Sequence, residues 1–86
     1  MSNGVLNNVT VQPAGGGAAI LVGGNGTQAK NRVTLTGNWA ANPIQGQQYT
    51  ISVPGKSTLH ATCAGFQITP DRRTGNQIAE GTFNIT

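Results

Sequence analysis

The sequence predicts an all-β domain, a small and partly open barrel of five or six strands, with a small β-sandwich or β-roll as the alternative. Three observations carry that expectation. First, 13 glycines and 4 prolines break the chain roughly every eight to twelve residues, the punctuation of short strands joined by turns. Second, apolar and polar residues alternate over several stretches, and no window sustains the 3.6-residue apolar period of a helix. Third, a chain of 86 residues buries only roughly 60% of the surface its unfolded form exposes, so it needs help to stay folded. With 1 Cys and 1 His, neither an intrachain disulfide nor a zinc site can be completed. Closure of the sheet, or self-association, remains.

Taken in order, Val5, Val9 and Val11 share one parity of a first strand that ends at Gln12-Pro13, and a glycine loop, Gly15-Gly16-Gly17, follows. Ala18 to Val22 reads as a short apolar strand closed by a turn at Gly23-Gly24-Asn25-Gly26, residues that tolerate positive φ. From Arg32 onward, Val33, Leu35, Gly37 and Trp39 point one way and Arg32, Thr34, Thr36 and Asn38 the other. Ala40 to Gln47, with Pro43 and Gly46, reads as a loop, after which Tyr49, Ile51 and Val53 alternate inward. Pro54-Gly55 turns the chain. Leu59, Ala61 and Cys63 share a face, but Phe66 and Ile68 fall on the opposite parity, so a bulge is expected at Ala64-Gly65. Pro70 to Gly75 is a charged loop, and Ala79, Gly81, Phe83 and Ile85 supply a last strand. No repeat and no second domain is apparent, so residues 1–86 are read as one domain.

Catalysis finds little to work with. Gly55-Lys56-Ser57 matches the end of a phosphate-binding P-loop, but Thr50 stands where that motif needs its first glycine, and a strand follows in place of a helix. Cys63 and His60, three apart on a strand, lie on opposite faces. Asp71 and Glu80 are the only carboxylates, and nothing in the spacing brings them together. The chain is therefore read as non-enzymatic, with no cofactor and no metal. The N-terminal Met1-Ser2-Asn3-Gly4-Val5-Leu6 has neither a basic region nor a long apolar run, so no leader or membrane span is expected, and the expected location is the cytoplasm or a virion.

The most informative stretch runs from Leu35 to Tyr49: an apolar strand into Gly37-x-Trp39, a loop with Pro43, then Gly46-x-Gln48-Tyr49. Each residue type has a physical reason here. Gly37 lets a strand bend sharply, Trp39 caps a barrel end, and Pro43 with Gly46 stiffens the return before Tyr49 re-enters the sheet. By parity, Trp39 and Tyr49 both face inward, which makes Phe66, beside the slip, the aromatic best placed to be exposed. The stretch resembles the N-terminal OB-type domain of RecD-like DNA helicases, a likeness that extends more loosely over residues 4–70. This chain shows no helicase domain and adds a last strand from Gln77 to Ile85. The resemblance implies an OB-like barrel, and with it a single-stranded DNA- or RNA-binding module, an accessory in replication, recombination or mobile-element transfer.

Charge points the same way. Lys30, Arg32, Lys56, Arg72 and Arg73 outnumber the two carboxylates for a net +3, which favours polyanions, and all lie at or beside turns. In such a barrel the connecting loops flank the binding face, so these five cations with Phe66 form the expected nucleic-acid-binding set. Only 8% of residues are charged, against about a quarter in a typical domain. Solubility rests on neutral Thr, Asn, Gln and Ser, and edge strands lack the charges that usually guard them. That composition also suits a small phage structural or decoration protein that self-assembles through sheet edges and the glycine loop, the alternative reading.

Overall fold

The computed structural model describes residues 4–86; Met1, Ser2 and Asn3, which open the stretch searched above for a leader, lie outside them. Six strands follow one another: β1 (Gly4–Pro13), β2 (Leu21–Ala29), β3 (Arg32–Thr36), β4 (Gln48–Ser52), β5 (Leu59–Pro70) and β6 (Gln77–Ile85). All pairings are antiparallel, and the order β1-β2-β3-β6-β5-β4 returns to β1 as a closed barrel, consistent with the small OB-like barrel expected. The expected partial opening is absent because Thr10 to Pro13 of β1 pair with Ser52 to Tyr49 of β4 and seal the sheet. Among the described residues no helix is long and apolar enough to cross a membrane.

Alternation fills the interior as the sequence suggests. Val33, Leu35, Tyr49, Ile51, Val53, Ala61, Cys63 and Phe83 are buried together with Leu6, Val9, Val11, Ile20 and Leu21, and among the described residues no polar side chain shares the core. The parity slip in β5 is real: Cys63 pairs with Phe83 but Gly65 pairs with Thr82, so one extra residue is inserted at Ala64. Pro54-Gly55 forms a tight turn in which the Lys56 amide donates to the Val53 carbonyl at 3.0 Å and Gly55 takes φ 77°, the geometry that requires glycine.

Two expectations for the first strands are corrected. Val5 does not share the parity of Val9 and Val11. It is 68% exposed while Leu6 is buried, because a bulge between Leu6 and Val9, with Asn8 at φ 56°, shifts the alternation by one. Gly23 to Gly26 are not a turn either. They lie within β2, which continues to Ala29 and turns at Lys30-Asn31. A Cβ on Gly24 would strike the Leu21 side chain, and one on Gly26 would strike the Thr34 carbonyl. These glycines are required by close approach of neighbouring chain.

The barrel has two unlike ends. At one end stand the Lys30-Asn31 and Pro54-Gly55 turns, the first residue of β1 and the end of β6. At the other, the glycine loop and the Gly37 to Gln47 loop cross the opening. From this second end β5 and β6 continue as a two-stranded arm: β3 pairs with β6 only as far as Glu80, whereas β5 and β6 remain paired out to Pro70 and Gln77.

Candidate functional site

Trp39 closes the barrel where the arm departs. The strand leaving Leu35 passes through Gly37, whose missing side chain admits Leu21 Cδ1, 2.9 Å from where a Cβ would stand, and Trp39 then bridges to Leu21. Its indole lies at a 24° interplanar angle to Phe83, with centroids 6.2 Å apart, and meets Phe66 edge-on at 5.4 Å. Trp39 Nε1 donates to the Ala79 carbonyl at 2.9 Å. Gly81 forms the floor beneath it, since a Cβ there would lie 3.0 Å from the indole. Tyr49 anchors the same loop: its hydroxyl accepts the Ile44 amide at 2.9 Å, and its ring meets Phe83 edge-on. Pro43 is buried and Gly46, at φ 89°, donates its amide to the Cys63 carbonyl. The motif thus holds together physically as the plug of one barrel end.

Phe66 is half-buried beside Trp39, which it meets edge-on, and it also lines the outer groove described below, whereas Tyr49 and Phe83 are fully buried. The cations are exposed but divided. Lys30 and Arg32 lie at the β2–β3 turn, and Lys56 lies beside Gly4, its Nζ 3.9 Å from where a Gly4 Cβ would stand. Arg72 and Arg73 occupy the tip of the arm. Arg32 pairs with Asn84 while the tip lies beyond Gln77, so roughly 25 Å of strand separates the two groups. Sequence spacing could not anticipate this division, because it depends on which end of the barrel each turn occupies.

The tip is shaped by hydrogen bonds to its one carboxylate, Asp71. Asp71 Oδ1 accepts the Arg73 amide at 2.9 Å and Oδ2 accepts the Thr74 hydroxyl at 3.2 Å, an Asx-type turn. The Gly75 amide donates to the Asp71 carbonyl and the Asp71 amide to the Asn76 carbonyl. With Asp71 engaged in shaping the loop, both guanidinium groups are held outward in solvent.

Between the two basic ends, a groove of about 400 Å³ crosses the outer face of β3, β6 and β5, with Arg32, Glu80, Thr82, Gly65, Phe66 and Gln67 in its walls. It exists because the bulge puts Gly65 on the outer row, where nothing lies within 4 Å of a would-be Cβ. The groove was not legible in the sequence, although the parity slip that creates it was.

Cys63 is buried, and burial pushes its thiol above the usual range, the Gly65 backbone acting weakly in the opposite sense. A folded-state pKa raised above the unfolded value means the folded protein holds the proton longer, so stability is full below the unfolded pKa and falls as pH rises towards the folded one. Denaturation midpoints should therefore decline as pH rises above the ordinary thiol range of about 8.5, and Cys63→Ala should flatten that decline; an unchanged slope in the variant would assign the effect elsewhere. Compared with family models, curated proteins and solved structures, the chain matches none.

Proposed function

We propose that the protein is a non-enzymatic single-stranded nucleic-acid-binding module, an accessory in replication, recombination or mobile-element transfer. The observation that carries this reading is the outer groove leading from Arg32 along β6 towards an arm that presents Arg72 and Arg73. Its walls are mostly neutral and hydrogen-bonding, so a strand laid along it meets Arg32 at one end and Gln67 and Thr82 within it, and reaches Arg72 and Arg73 only by continuing about 10 Å past Glu80 along the arm. Glu80 is the one carboxylate in the groove; it repels phosphate but accepts an exocyclic amine, which favours bases facing inward there. The OB-type resemblance of the Gly37-x-Trp39 stretch supports the same reading.

Fluorescence anisotropy with a labelled single-stranded oligonucleotide, DNA and RNA in parallel, tests it. With three cations on phosphate the slope of log K against log salt should be about −2, and Arg72→Ala with Arg73→Ala should make it shallower by about 1.4. The double variant should keep its melting temperature, because both side chains are in solvent. Lys30→Ala and Lys56→Ala, at the far end, should weaken binding less than the double variant. Absence of binding at low salt would remove the reading.

Self-assembly, as in a phage structural or decoration protein, is the second reading. What favours it is the edge of β5 on the arm, which carries no charge from Ala64 to Pro70.

A further inference from the structure

Among the described residues the arm leaves backbone hydrogen-bonding groups without partners, and their positions can be read from the ladder. Asp71 N bonds to Asn76 O, and β5 and β6 keep that register inward as Pro70↔Gln77, Thr69↔Ile78, Ile68↔Ala79, Gln67↔Glu80 and Phe66↔Gly81. In an antiparallel pair, directly bonded residues alternate with residues whose N–H and C=O point to the opposite edges. Thr69 and Gln67 therefore bond to β6, while Ile68 and Phe66 aim their backbone groups away from it. The bond from Trp39 Nε1 to the Ala79 carbonyl, arriving from the side away from β5, confirms the alternation.

On the β6 side this edge is partly covered by Trp39. On the β5 side it is open: β4 pairs with β5 only through Leu59 to Thr62, and Gly46 and Gln47 bond to Cys63. The free segment is bounded by Cys63, already engaged, and by Pro70, which has no N–H to offer. Its midpoint is Gln67.

We propose that a second copy of this chain adds to this edge, β5 against β5 in antiparallel register about a two-fold axis at Gln67. This rests on the self-assembly reading and not on nucleic-acid binding, although Phe66 and Gln67 also line the outer groove. The register is self-complementary. Phe66 of each copy faces Ile68 of the other as a directly bonded pair, so both N–H and both C=O groups at each pair are satisfied. Phe66 and Ile68 lie on one face, and pairing covers the Ile68 side chain, which is 53% exposed in the single chain. Nothing opposes it electrostatically: the segment is uncharged, and the two-fold carries the two Arg72-Arg73 tips to opposite ends of the shared sheet. A neutral edge with a neutral residue at its centre suits its own copy better than a charged partner.

Light scattering coupled to size exclusion at high micromolar concentration should give a dimer for the wild type. Ile68→Lys should give a monomer with an unchanged circular dichroism spectrum. Gln67 is exposed, so Gln67→Cys should fold normally and oxidise to a disulfide-linked dimer, while Thr69→Cys, off the axis, should link far less; buried Cys63 does not compete. A strict monomer overturns both this interface and the self-assembly reading. A dimer that survives Ile68→Lys, with Gln67→Cys failing to link, overturns the interface alone and leaves self-assembly by another surface.

Discussion

Trp39→Ala is expected to lower the unfolding free energy by about 3–5 kcal/mol, in a domain whose whole stability is of the order of 5–10 kcal/mol. The indole does three things at once. It covers Phe83 and the edge of Phe66, it satisfies the Ala79 carbonyl, and it ties the loop after β3 to the start of β2. Alanine opens the plug, and a loop end that is already at the surface can collapse only partly into the space. Trp39→Phe separates these contributions: it keeps most of the ring contact and forfeits the hydrogen bond, for a smaller loss of about 1–2 kcal/mol. Urea denaturation followed by circular dichroism measures both. Should Trp39→Ala melt like the wild type while losing oligonucleotide binding, the indole would be a stacking platform and its packing role would be refuted.

Gly26→Ala should be nearly as damaging despite adding a single methyl group. Its Cβ would overlap the Thr34 carbonyl and lie 2.9 Å from Leu35 Cδ2. A flexible side-chain end could move aside, but a carbonyl held in the β2–β3 ladder cannot. The two strands must separate where Gly26 pairs with Leu35, at a cost of about 3 kcal/mol, the upper part of the range for overpacked interiors. Gly15→Ala is the control, since nothing lies within 4 Å of a Cβ there and its backbone is not in the positive-φ region. Its thermal midpoint should stay within a degree or two of the wild type. Equal midpoints for the two variants would show that β2 and β3 are farther apart than described.

These glycines also mark where sequence reading reaches its limit. Gly23 to Gly26 reads as a turn because glycine is common in turns, yet the same residue is demanded wherever a neighbouring backbone comes close, and only the fold distinguishes the two causes. Val5 was misplaced for a related reason: parity runs true only until a bulge, and Asn8 gives little warning of one. The slip at Ala64-Gly65 was legible because apolar residues flank it on both sides in opposite phase. Trp39, Tyr49, Pro43 and Gly46 were legible as a structural plug because each residue type there has one dominant use. The cations were visible one by one, but their division between the two ends of the barrel required the order of strands, and the groove between them required the bulge in three dimensions.

The closed strand order has a kinetic side. β1-β2-β3 and β4-β5-β6 are two meanders, each built from neighbours in sequence, and they meet along two seams, β1 with β4 and β3 with β6. The hairpins can form by local search, whereas the seams must bring Thr10 to Ser52 and Arg32 to Asn84. Loop-closure entropy therefore falls almost wholly on the seams, and they place the protein among slow, high-contact-order folders. Until both seams close, each half is a three-stranded sheet with an apolar face in water, able to find the complementary half of another molecule as readily as its own.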